Sequence, residues 1–360
     1  MKLLIVTQKI DHADENLGFF CKWLEELKNN FSEVRVITSY LNEKNKPDGI
    51  KIFSLGKERG TGKTKRVWNF WSLFSEHYID ADAVFFHMAP EFVVAAWPFL
   101  WSLKKPTALW YTHRVVNPYL KVAEKIVDNI FTASELSFRL PSQKVLVIGH
   151  AIDTNYFRPV LEESAKPKGN KTIKLLTLGR ISPIKDIETI LWASEILKNR
   201  WKRPWKLSIV GGPLLPRDHK YLQTLKDFVK EKGLENKVDF IGPVDHTKVA
   251  EIYNNHDVFI SMSGTGSIDK SVLEAMASGL TVITSNEAFK DALPPQYFLA
   301  EKSADILAER IEILAGETCP NLSLRQRVVD KHSLKTTIGK ISQNLLKNTH
   351  DLAHLQTSKR

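Results

Sequence analysis

The chain has 360 residues, 43% of them hydrophobic and 26% charged, with a net charge of +10. These proportions exclude a disordered or membrane-spanning chain, and the length exceeds one ordinary core and suits two domains. Cys21 and Cys319 are too few and too far apart for a metal knuckle or a disulfide framework, so a reducing, cytoplasmic setting is expected.

The charge is uneven. Residues 1–165 carry 21 Lys and Arg against 19 Asp and Glu, and residues 166–360 carry 30 against 22. A basic second half suits a polyphosphate or an anionic surface. Basic residues do not cluster with interleaved aromatics, so nucleic acid is not an expected partner.

In chain order, Met1–Ile10 reads as a first strand, LLIVT (3–7), because its apolar run is too short for a signal-peptide core. FFCKWLEELKNNF (19–31) follows with Phe20, Trp23, Leu24 and Leu27 at helical spacing. Further strands are predicted at 34–38, 50–55, 83–88, 107–113 (TALWYTH), 129–134 and 145–150. The apolar stretch Phe92–Leu103, broken by Pro98 and Ser102, falls short of the roughly 20 residues of a membrane span. Residues 161–171, LEESAKPKGNK, lack apolar periodicity and read as a linker. Alternation then restarts, with strands at 173–179, 206–212, 238–244, 258–263 and 280–286. Helices at 188–200 and 219–233 lie between them, the second stopped by Gly233. The expected fold is α/β: two Rossmann-like doubly wound domains facing a central cleft. The N-terminal domain spans 1–160 and the C-terminal domain 172–335. A last helix, 336–360, packs back on the N-domain.

Gly-Thr-Gly-Lys-Thr at 60–64 invites a P-loop reading, hence an NTPase. The first glycine of that motif belongs at Lys57, and Gly56 misses by one, so a surface loop is the preferred reading.

The segment LLTLGRISPIKD (175–186) carries more chemistry. Gly179 ends a strand and lets backbone approach a ligand, and Arg180 and Lys185 project two cations from a short loop. Fixed cations of this kind stabilise a pyrophosphate leaving group as its charge rises. A solvated turn explains the same residues. In SGTGSIDKSVLEAMASGLTVITSN (263–286) a strand ends at Ser263 and a helix begins near Ile268–Lys270, aiming amides at phosphate or sugar oxygens. Within it, Leu273 and Ala275 flank Glu274, whose carboxylate suits a ribose diol. The competing reading is a solvent-exposed glutamate, against which the small residues Ala275, Ala277 and Gly279 argue tight packing.

The motifs GRxSxxKD and LEAMASGLTVI, with Gly-His-Ala-Ile-Asp-Thr-Asn-Tyr-Phe-Arg-Pro at 149–159, resemble glycosyltransferase family 4, group 1 enzymes of the GT-B fold. That resemblance implies a retaining, metal-independent hexosyltransferase of polysaccharide biosynthesis. It would move sugar from a nucleotide-sugar donor to a glycan or lipid-linked acceptor without a cofactor. It implies that Arg180 and Lys185 hold the donor diphosphate, that Glu274 holds the ribose, and that Gly242–Val244 lies beside the nucleobase. His113 resembles the family's histidine near the transferred sugar, although a satisfied, partly buried histidine is the alternative; His87 has the weaker claim. Asn16-Leu17-Gly18-Phe19 stands where the family has a glycine-rich loop, and Gly18 serves either ligand approach or a plain helix entry.

One departure stands out. Family members often carry a glutamate eight residues before Glu274, where this chain has Gly266. Asp269 and Lys270 are expected to take part of that donor-binding role, and a non-catalytic sugar-binding relative is the alternative. Aromatic residues with Lys104 and Lys105 (Trp97, Phe99, Trp101, Trp110, Tyr111) suggest peripheral contact with the inner membrane face.

Overall fold

The computed structural model describes residues 1–14, 17–160, 172–264, 266–317 and 320–357. The expected linker 161–171, Asn16 and Cys319 lie outside the described residues. Chain contacts divide the molecule into two compact units, Met1–Ala151 with Lys331–Arg360, and Ile152–Asp330. The division thus falls between Ala151 and Ile152, where sequence had run the first domain on to residue 160.

The first unit contains β1 (Lys2–Ile10), α1 (Phe19–Lys28), β2 (Glu33–Leu41), β3 (Lys51–Ser54), α2 (Lys63–Ile79), β4 (Ala83–His87) and α3 (Pro90–Leu103). It continues with β5 (Thr107–Trp110), α4 (Pro118–Ile126), β6 (Asn129–Thr132) and β7 (Val145–Val147). The strands form one parallel sheet in the order β3-β2-β1-β4-β5-β6-β7. β-branched and aromatic runs build it: Leu3, Leu4, Ile5 and Val6 of β1, and Val84, Phe85 and Phe86 of β4, are all buried. Phe70, Phe74 and Tyr78 of α2, Val93 and Leu100 of α3, and Leu120 of α4 close over one face. Pro98 sits inside α3 without ending it.

The second unit contains β8 (Ile173–Leu178), α5 (Ile187–Arg200), β9 (Trp205–Val210), α6 (Pro216–Glu231), β10 (Val238–Gly242) and α7 (Val249–Asn254). Then come β11 (Val258–Ser261), α8 (Lys270–Ala277), β12 (Thr281–Thr284), α9 (Ala304–Leu314) and α10 (Leu322–His332), whose end crosses the division. Its parallel sheet runs β10-β9-β8-β11-β12. The last helix, α11 (Leu334–Thr357), belongs to the first unit, where it contacts α1 and buries Ile338, Ile341 and Leu345.

Both sheets reverse their strand order beside the first strand, between β1 and β4 and between β8 and β11. In such sheets the crevice at the carboxyl ends of those two strands is the usual ligand position. Among the described residues, no helix is long and apolar enough to cross a membrane.

Candidate donor site

In the second unit the carboxyl ends of three neighbouring strands close on glycine. Gly179 N–H donates to Val210 O and Gly211 N–H to Gly242 O, with all three glycines at positive φ. A Cβ on Gly211 would sit 1.9 Å from Gly179 O, so no other residue fits. The ends of β8 and β9 line a recess of about 10 Å³ with Arg180, Lys185 and Ser261, enough for a water and no more.

After Gly179, the side chain of Arg180 is exposed. Lys185 closes the short 3-10 turn Pro183–Lys185, and Asp186, in the left-handed region at φ 50°, caps α5 through Thr189. Lys185 Nζ donates to Asp269 Oδ1 at 3.0 Å and to Ser263 Oγ at 3.3 Å. Ser261 Oγ donates to the other Asp269 oxygen at 3.4 Å. Asp269 stands immediately before α8 and makes no capping bond to it, because its carboxylate faces Lys185. The loop after β8 and the start of α8 are thereby joined across the switch point of the sheet.

One turn into α8, Glu274 is 3% exposed. Lys270 Nζ lies 3.2 Å from its Oε1, and Tyr253 Oη donates to Oε2 at 3.2 Å. His246 Nε2 stands 3.7 Å from Oε1, too long for a hydrogen bond but close enough to act as a charge when protonated. Burial alone would push the Glu274 carboxyl up; Lys270 and His246 outweigh it and hold the pKa below the ordinary value. Glu274 is thus a buried ionised carboxylate, which disposes of the solvent-exposed reading.

The structure gathers Gly179, Lys185, Asp269, Lys270 and Glu274 into one run of contacts, with Arg180 at its edge. Leu273 faces inward at 1% exposure, and Gly242 and Val244 lie on the turn leading to His246. His246 and Tyr253 escaped the sequence reading. His246 stands two residues past the Gly242–Val244 turn, a signal that was there to use. Tyr253 reads as one more apolar position of α7.

The first-unit candidates stand differently. β5 ends at Trp110, so His113 lies in the following loop and does not end a strand as expected. Its ring accepts from Val115 N–H at Nδ1, 3.1 Å, which leaves the proton on Nε2. Burial and then Arg114 lower its pKa. Gly18 is explained by its own loop, since a Cβ there would meet Asp14 O and His12 O at 2.6 Å. His87 is fully buried and stacked on Phe20 at 3.8 Å, with burial holding its pKa down at about 3. Gly62 precedes α2 and Lys63 and Thr64 are exposed on its first turn, as a surface loop requires.

Residues 161–328 match the sequence family described as glycosyl transferases, group 1. This segment is similar to a group 1 glycosyltransferase domain. Over 185 residues the chain is 30% identical to an alpha-monoglucosyldiacylglycerol synthase of Streptococcus pneumoniae, covering 51% of this chain and 38% of that one. Over 152 residues it is 28% identical to a D-inositol 3-phosphate glycosyltransferase of Catenulispora acidiphila, covering 39% and 34%. The chain therefore spans little more than a third of the length of the curated relatives it matches. Likeness to solved structures extends further. HepE of Anabaena in complex with UDP superposes with a TM-score of 0.74 at 15% identity, over 96% of this chain and all of that one. Sucrose-phosphate synthase of Thermosynechococcus elongatus gives 0.72 at 17%, over 96% and 98%. At such identities the likeness establishes the fold, two Rossmann-like units of the GT-B class, and the segment that matches the group 1 family lies in the second of them.

Proposed function

We propose that this chain is a retaining, metal-independent glycosyltransferase that moves a hexose from a nucleotide-sugar to a glycan or lipid-linked acceptor in the cytoplasm. One observation carries the reading: Lys185 and Arg180 stand at the switch point of the second sheet, beside the start of α8 and a buried carboxylate. A lysine ammonium has three hydrogens to donate, and Asp269 and Ser263 take two of Lys185's, leaving one for a phosphate oxygen. Arg180 adds a planar fork suited to a second phosphate. The amides opening α8 add their dipoles. Together these groups stabilise the diphosphate as the glycosyl bond breaks, the task a divalent ion performs elsewhere.

On this reading the departing diphosphate takes the acceptor's proton on the same face, so retention needs no protein base. Glu274 receives the ribose diol, with Lys270 and Tyr253 fixing its orientation. Gly242 and Val244 border the base. Asp269 and Lys270 stand in for the acid absent at Gly266. For His113 and Gly18 the family resemblance alone supports a part in sugar handling. The crystal complexes of HepE with UDP and with UDP-glucose make a uridine nucleotide the first donor to try. The similarity to an alpha-monoglucosyldiacylglycerol synthase favours a lipid-linked acceptor, and with it peripheral contact with a membrane.

A thermal-shift panel of UDP-, GDP- and ADP-sugars and ATP on wild type and Glu274→Gln tests the donor reading. Stabilisation by one nucleotide class, diminished in the variant, is expected. A response to ATP alone would overturn it in favour of an NTPase.

A further inference from the structure

The outer side of the α2–α3–α4 layer is unusual for a polar-coated domain. Trp68 is 69% exposed, Trp97 54% and Trp101 73%, although the inner side of the same helices is fully packed. The α2 rings are held rather than loose. Trp68 meets Trp71 edge-on at 5.6 Å, and Trp71 Nε1 donates to Ala95 O of α3 at 3.0 Å. Trp97 and Trp101 are one turn apart, on the same stripe of α3. Beside them a groove of about 650 Å³ runs between α3 and α4, lined by Val94, Leu100, Val122 and Ile126 as well as the two tryptophans.

The groove also touches Thr107, the first residue of β5, so it opens toward the amino end of the strand. Ligands of this fold bind at the opposite, carboxyl end. It is therefore not part of the nucleotide-sugar chemistry.

Its rim is basic. Lys104, Lys105 and Lys125 border the groove with one acid, Asp128, whose carboxylate accepts from the N–H and hydroxyl of Thr107; Lys63, Lys65 and Lys121 are exposed on the same helices, which carry Glu76, Glu91 and Glu124 as acids. Lys105 is not among these exposed cations, against the sequence expectation. Its Nζ donates to the carbonyls of Tyr78, Ile79 and Ala81, closing the end of α2. Trp110 and Tyr111 likewise leave the expected membrane set for the core.

We infer that this face is a docking surface for an anionic lipid bilayer, with the α3–α4 groove taking an acyl chain and Lys104 and Lys125 its phosphate. Indole rings settle at the level of lipid headgroups, and lysines gain from an anionic surface. A second copy of the chain fits poorly, because the same face on both copies would set lysines against lysines. This deepens the membrane contact proposed above, and its test uses lipid alone, so its failure would leave the donor reading standing.

The test is co-sedimentation of the full chain with vesicles of phosphatidylcholine, with and without 30% phosphatidylglycerol. Binding to the anionic vesicles is expected. It should fall about tenfold or more in Trp97→Ser/Trp101→Ser, and about thirtyfold in Lys104→Gln/Lys125→Gln. Both pairs are exposed, and an unchanged response in the nucleotide-sugar panel shows that the variants fold. Absence of wild-type binding, equal binding to neutral vesicles, or full retention by either variant would overturn the inference. So would sedimentation-velocity evidence of a dimer abolished by the tryptophan changes.

Discussion

The two sheets share a topology but spend their switch points differently. Between β1 and β4 the chain places Thr7 and His87, with the imidazole stacked on Phe20 and its Nδ1 3.2 Å from the Thr7 hydroxyl. Between β8 and β11 it places Lys185, Ser263 and Asp269, with Glu274 and Lys270 a turn away. One crevice end is filled with rings and a neutral histidine; the other concentrates charge around glycine-lined strand ends. The same fold supports both, so chemistry is read from side chains at the strand ends rather than from the sheet.

Breaking the charged end should cost the most. Glu274→Ala leaves Lys270 beside a cavity without its carboxylate, and the loss should reach about 3 kcal/mol in urea unfolding. Glu274→Gln, which keeps the contact with Tyr253, should recover part of it. A loss below about 0.5 kcal/mol would mean that Glu274 is solvated in practice and that the contrast with the first unit is overstated.

The neutral end should respond to pH instead. His87 takes up its proton near pH 3 when folded and near 6.5 when unfolded, so below 6.5 the unfolded chain binds more protons and stability falls with pH. Over pH 7 to 5 this one histidine should remove about 2 kcal/mol. In His87→Phe the difference in unfolding free energy between those two pH values should shrink by about that amount. An unchanged difference would assign the acid sensitivity elsewhere, with half-buried His332, its pKa held at about 4 mainly by desolvation, the next candidate.

Much of this was legible in the sequence. Runs such as LLIVT and VFIS announce buried parallel strands, because only strands covered on both faces tolerate unbroken branched apolar residues. The small residues around Glu274 announced its burial. Strand ends were less legible: Tyr111, Thr112 and His113 continue a β-favourable run, yet pairing stops at Trp110, since β5 pairs with β6 only from Ala108 to Trp110. Partners distant in sequence were not legible at all. Lys105 reads as a surface cation until the carbonyls closing α2 appear beside it, and nothing near Asp269 in sequence announces its ion pair with Lys185, 84 residues earlier.

The most direct measurement of the central claim is calorimetric titration of UDP, GDP and ADP into wild type and Lys185→Ala. One of the three should bind wild type and lose about a hundredfold in affinity in the variant, as expected when a charge-assisted contact to a buried phosphate is removed. Equal affinity in the two proteins would contradict a diphosphate held at this strand end.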